Sequence, residues 1–346
     1  MLCRITCTSR RRVTRSGRIP FRNRWQKFWA KSNARRAFKG LTNPDLQAGA
    51  LAAFLTTVFF TLSAVAGNRF SRMVGGLEAN FFRILVATFL LGLYAHSLGS
   101  GFAGKALPVF LLSGVIGFGI GDVAFYQALP RIGSRLSMII LHCLAAPIGA
   151  ALEWIWLDNP LTGRQVVCGI VILIGVAVAL APREHLHIPR KTLMLGVLFG
   201  VIAAFGQGVG SVVSRKAYEV AAGAGEHIDG ITAAYQRIWG GVFFSAIAYF
   251  AFRRRAPDEK PVLERLRPAW KWMLANGTLG PALGVSCMQY ALAKAPTGIV
   301  LPILALAPVV IIPFSRRFEN EKPTIRSLIG GLIAVAGVVG LRFSLK

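Results

Sequence analysis

A chain of 346 residues that is 54% hydrophobic, with a mean hydropathy of +0.55, holds more apolar length than a water-soluble core can absorb. About ten apolar stretches of about 20 residues lie between Ala48 and Leu341, each long enough to cross about 30 Å of hydrocarbon. Period-two alternation is absent, which excludes a β-barrel and leaves an all-α polytopic membrane protein. The net charge of +26 then belongs to loops and tail, not to a nucleic-acid surface.

The tail comes first in the chain. Residues 1–44 carry 13 Lys and Arg and no acid, against 27 basic and 14 acidic residues in the remainder. This is the composition of a transit segment, of a disordered cytosolic arm, or of sequence translated from a start upstream of the functional one. Trp25, Phe28 and Trp29 share one helical face, as an interfacial helix would require. Nothing in the tail offers them a packing partner, so a disordered extension is the expectation. Cys3 and Cys7 lack His or Cys neighbours that could complete a metal site, and Cys143, Cys168 and Cys287 fall in apolar runs as small hydrophobes.

Apolar length predicts helices at 47–67, 78–98, 106–128, 133–156 and 162–181 in a first half. After a polar connector at 183–192, helices follow at 193–213, 230–252, 269–292, 297–315 and 325–342. The halves repeat one another. Tyr126-Gln127-Ala128-Leu129, then Arg131, Ser134 and Pro147, are matched by Gln289-Tyr290-Ala291-Leu292, then Lys294, Thr297 and Pro308. An odd number of crossings per half turns the second copy upside down. The organisation expected is a tail (1–44), a first repeat (45–182), a connector (183–192) and a second, inverted repeat (193–342), with a site between the halves near the midplane. The prolines free backbone carbonyls in mid-helix and give bends that can line a cavity.

Several features in order resemble the EamA domain of the drug/metabolite transporter superfamily. They are the two five-helix units, the Phe82-Arg83 and Gln236-Arg237 pairs early in the second helix of each, the Pro-bearing fourth helix, and Glu321-Lys322-Pro323-Thr324 before a Gly-Gly helix. The likeness covers about residues 45–342, and it departs at Asn159, which stands where the second half has Glu321. It implies export or exchange of amino acids, other small metabolites or drugs without ATP hydrolysis.

Candidate site residues are the polar groups that a bilayer penalises, since a charge in hydrocarbon costs about 2.5 to 3.5 kcal/mol even on lenient scales. Arg83 and Arg237 occupy matching places and suit a substrate carboxylate; the bland alternative is that both snorkel to the interface as anchors. Asp122 is an acid in one copy only, opposite Val285 in the other. It reads either as a proton carrier or as a structural acid bonded to Tyr126 or an arginine. Arg135, His142 and Glu153 fall within about 20° of one line on the fourth helix, so Asp122, His142 and Glu153 are the proton-coupling candidates. Tyr126, Gln127, Gln207, Tyr235, Gln236, Gln289 and Tyr290 supply amides and phenols for a polar ligand, while Ser211 and Ser214 serve equally well to let helices approach.

No metal cluster, Gly-x-Ser-x-Gly elbow or Walker loop is present, and Gly206-x-Gly208-x-Gly210 follows a helix instead of a strand, so neither an enzyme nor an ATP-driven pump is indicated. The reading is a secondary transporter in a multi-pass bacterial inner membrane. Its partners are lipid, a small-molecule substrate, protons and a second copy of the chain, with no nucleic acid, cofactor or metal. The competing class is a non-transporting accessory or lipid-carrier subunit. A polar cleft between the halves favours the first, and a closed apolar interface the second.

Overall fold

The computed structural model describes residues 44–157, 163–179, 188–252, 261–295, 297–319 and 324–343. The expectations for the tail, for Asn159 in its joint, for residues 183–187 of the connector and for Glu321 lie outside the described residues. Helices account for the elements in chain order: α1 (Pro44–Val74), α2 (Gly76–Ser97), α3 (Leu107–Gly114), α4 (Asp122–Leu157), α5 (Gly163–Ala179), α6 (Arg190–Gly223), α7 (Gly230–Phe252), α8 (Val262–Gly277), α9 (Val285–Lys294), α10 (Thr297–Leu304), α11 (Ala307–Glu319) and α12 (Ile325–Phe343). Two π-helical segments, Val115–Gly121 and Thr278–Gly284, join α3 to α4 and α8 to α9. No strand occurs among the described residues.

Several boundaries differ from those read off apolar length, each for a local reason. The expected joint at 68–76 is helical because its polar groups bond along the helix. Ser71 donates to the Asn68 carbonyl at 3.0 Å, Arg72 Nε to Asn68 Oδ1 at 3.3 Å, and Arg69 to the carbonyl of Phe318. The helix stops only at Gly75, whose φ of 98° is open to glycine. Similarly, α6 continues to Gly223 where an end near 213 was expected, with Arg215 Nη1 donating to the Leu292 carbonyl at 2.6 Å. Gly133, at φ 76° and ψ 168°, breaks the 107–157 run where the joint between third and fourth helices was expected. The expected 297–315 helix is interrupted at Ala305–Leu306, and it resumes at Ala307 with Pro308 in its first turn, where the missing N–H costs no hydrogen bond. Pro147 does not break α4.

Among the described residues, five helical stretches are long and apolar enough to cross a membrane: Pro44–Val74, Gly76–Ser97, Leu107–Leu152, Arg190–Gly223 and Thr297–Phe318. Burial in α1, α2 and α7 is inside-out relative to a soluble protein. Phe89, Leu93, Phe243 and Phe250 face outward, whereas Thr61, Asn80, Arg83, Gln236, Arg237 and Ser245 are buried. That distribution is the favourable one when the surroundings are hydrocarbon. At one side α5 lies along α12 at backbone contact, Gly330 against Ala179 and Gly337 against Ile172, the close approach that small residues permit in membranes. Ile139, Ile140 and Cys143 of α4 pack on this pair through Ile172, Ala334 and Val338.

Candidate functional site

The two π segments start and end at a constant offset of 163 residues, 278 against 115 and 284 against 121. Both are rich in glycine, and the second contains Pro281, which has no N–H to donate to the α pattern. A π turn widens the helix and aims its side chains differently from an α turn, a feature frequent at functional sites. The glycines flanking them also bring the halves together. A Cβ on Gly114 would collide with the carbonyl of Arg237, and one on Gly277 would lie 2.8 Å from the carbonyl of Arg83. Each arginine helix is thus seated on the third-helix glycine of the opposite half.

Between them lies a central cavity of about 60 Å³. Its wall takes Phe60, Ser63 and Ala64 from α1, Arg83 from α2, Gly117 and Phe118 from the first π segment, and Asp122, Phe125, Tyr126, Met138, Leu141 and His142 from α4. The second half adds Gln207 from α6, Arg237 from α7, Gly280 and Pro281 from the second π segment, and Val285 and Met288 from α9.

Most polar groups of this wall form one network, and Arg237, His142 and Gln207 stand outside it. Arg83, 4% exposed, donates to Asn80 Oδ1 from Nε (3.2 Å) and Nη2 (3.0 Å), forms an ion pair with Asp122, and lies over the Tyr126 ring at 4.4 Å. Tyr126 donates its hydroxyl to Asn276 Oδ1 at 2.5 Å, and Asn276 Nδ2 donates to the Ser63 carbonyl (2.6 Å) and Oγ (3.0 Å). Asn80 Nδ2 donates to Ser245 Oγ at 3.0 Å, so the network reaches α7. Arg237, also 4% exposed, is one of these. It lies over the Phe118 ring at 5.4 Å, but its Nε is buried without a hydrogen-bond partner, and no acid pairs with it among the described residues. His142 is similar: it stacks on Phe60 at 6.0 Å and neither ring nitrogen finds a partner. Arg237 is thus a buried guanidinium fork that no acid bonds directly among the described residues.

Of the residues singled out from sequence, the structure gathers Arg83, Asp122, Tyr126, His142, Gln207 and Arg237 around this one cavity. The arginines are buried here and do not snorkel, and Asp122 bonds to Arg83 while Tyr126 bonds elsewhere. Gln207 Nε2 points at Met288 Sδ, 3.5 Å away. The other candidates are placed outside the cavity wall. Gln236 Nε2 donates to the carbonyls of Gly101 (3.0 Å) and Ala103 (2.9 Å), tying α7 to a loop. Tyr235 bonds to His96 Nε2 at 2.9 Å amid Phe102 and Trp239. Gln127 accepts from Arg131 at 2.7 Å, Gln289 donates to Ser214 at 3.5 Å, and Tyr290 is 42% exposed. Ser211 bonds back to the Gln207 carbonyl of its own helix (2.6 Å), and Ser214 shares a 2.8 Å bond with Ser113, joining α6 to α3. Arg135 lines a separate recess with Pro308 and Val309, while the side chain of Glu153 lies outside the described residues. Sequence reasoning passed over Asn80, Asn276 and Ser63, small neutral residues with no periodic or charge signal. It also passed over the π segments, whose only trace is their clustered glycines. No three His, Cys, Asp or Glu side chains gather as metal ligands would, among the described residues.

Fold and site together define an integral, multi-pass helical membrane protein built around a charged interior cavity. Residues 47–181 and 194–343 each match the EamA-like transporter family. The chain belongs to that family, which comprises transporters of the drug/metabolite superfamily and not enzymes. An uncharacterised protein of Pseudomonas aeruginosa is 32% identical over 148 residues, 42% of this chain and 49% of the relative, so the chain spans about half the relative's length. A solved crystal structure with 18% identity superposes with a TM-score of 0.55, covering 85% of this chain and 96% of that one, a likeness of fold.

Proposed function

We propose that this chain is a secondary transporter that exports or exchanges a small polar metabolite, such as an amino acid, or a drug, by alternating access to the central cavity. The observation that carries the reading is the cavity itself: both halves contribute to it, and it holds two buried arginines and an acid where a purely structural interface would be apolar. In this reading the chain makes ten crossings in two inverted five-helix repeats, 45–182 and 193–342, joined by a connector at 183–192 and preceded by a tail at 1–44. The length of the 46-residue stretch Leu107–Leu152 supports it. At 1.5 Å per residue such a stretch is about 69 Å long, twice the hydrocarbon thickness, and it is divided at Gly133. The membrane is taken to be a bacterial inner membrane.

Asp122 is the coupling residue in this scheme. Protonated, it releases Arg83; ionised, it holds Arg83 in the pair seen here. The test is counterflow in proteoliposomes, using a pooled panel of labelled amino acids and small metabolites with and without an imposed pH gradient. Saturable flux of one class is the expected result, and Asp122→Asn is expected to carry that class without responding to the gradient. Absence of flux for every compound, in folded protein, would move the assignment to the accessory or lipid-carrier class.

A further inference from the structure

The repeat gives one arginine an acid and leaves the other without. Arg83 is paired with Asp122, which directly follows the first π segment. The residue that directly follows the second π segment is Val285, so at the same offset of 163 the partner of Arg237 is apolar. The glycine contacts of the two guanidinium groups are reciprocal. Nη1 of Arg83 would lie 3.4 Å from a Cβ on Gly280 of the second π segment, and Nη2 of Arg237 2.9 Å from a Cβ on Gly117 of the first. Both Val285 and Arg237 face the cavity, and Arg237 has neither a hydrogen bond nor an ion pair there among the described residues.

We propose that the substrate supplies the missing carboxylate. A small monocarboxylate binds with its anionic group against Arg237, beside Val285, in the position mirrored by Asp122 against Arg83. This rests on the transporter reading above and adds the substrate class to it. The charge inventory agrees: Arg83, Arg237 and Asp122 sum to one positive charge with His142 neutral, which a monoanion cancels and a dianion or cation does not. The cavity, about 60 Å³, suits a small molecule.

The experiment is counterflow in proteoliposomes with labelled two- to five-carbon monocarboxylates, succinate and putrescine, for the wild type, Val285→Asp, Val285→Asn and the double variant Asp122→Val with Val285→Asp. The wild type is expected to favour monocarboxylates by about tenfold or more. Val285→Asp fills the vacancy with an internal acid and should lower monocarboxylate flux by about tenfold or more, while Val285→Asn, of like size and uncharged, should lose far less. The double variant moves the acid across the repeat, restores the single positive charge with Arg83 now free, and should recover flux. Thermal unfolding in detergent separates charge from folding, since Val285→Asp is expected to be more stable than wild type and no longer stabilised by added acetate. Flux that prefers putrescine or succinate, flux that survives Val285→Asp, or a folded double variant that stays inactive would overturn the inference while leaving transport intact. Wild-type flux for no compound, in this panel or the broader one, would remove the transporter reading and this inference with it.

Discussion

The cavity region and the α5–α12 pair solve the problem of packing in lipid in opposite ways. Around the cavity, helices are joined by buried polar bonds such as Asn276 to Ser63, Tyr126 to Asn276 and Asn80 to Ser245, with the Arg83–Asp122 pair at the centre. Along α5 and α12, contact is made by glycine against backbone, with Ile172, Ala334 and Val338 around it. Lipid tails are as apolar as these side chains, so the outer pair gains from close packing rather than from escaping water. The inner groups are different: each leaves an unsatisfied partner behind when it is removed. The charged region is therefore specialised at a cost in robustness, and the outer pair is plain and replaceable in detail.

The contrast can be broken from either side. The largest effect is expected from Arg83→Leu, which strands Asp122. Loss of a buried pair member costs about 3 to 5 kcal/mol, and because the Asp122 side chain retains 26% exposure toward the cavity the lower end, about 3 kcal/mol, is expected in thermal unfolding, with flux abolished. Next, Gly330→Leu should force α12 off Ala179 and cost about 1 to 3 kcal/mol, while flux per folded molecule stays near wild type. A flux loss as deep as that of Arg83→Leu would erase the distinction between the two regions. Tyr126→Phe removes one neutral hydrogen bond to Asn276 and should lower stability by about 1 kcal/mol. Smallest is Gly169→Ala, where nothing lies within 4 Å of the added methyl; a gain of about 0.5 kcal/mol is expected from helix propensity, and a measurable loss would reveal a contact on that face.

The same contrast explains what was legible beforehand. All-helical membrane character follows from apolar run length, and Arg83, Arg237, Asp122 and Tyr126 announce themselves because charge and its neighbours are costly in hydrocarbon. Grouping neighbours in sequence with them was less informative. Arg237 faces the cavity, so Gln236 and Tyr235, at steps of about 100° around the helix, are turned away toward the 98–106 loop and the aromatic cluster. Gln127 is turned from Tyr126 in the same way. Asn276 could not be recognised because a single neutral amide in an apolar run resembles any solvated helix end until its partner Ser63, 213 residues away, is placed beside it. Helix ends were missed where arginines such as Arg69 and Arg215 spend their donors on carbonyls of distant helices, a tertiary event with no local pattern.

The reciprocal seating of Gly114 under Arg237 and Gly277 under Arg83 has a consequence for synthesis. Neither half owns the floor on which its own arginine helix rests. A first half made alone has Arg83 without the Gly277 seat, and it is expected to stay incompletely folded until the second is made. Two separate polypeptides cut within residues 183–187 are expected to accumulate only when made together, each acting as the other's mould.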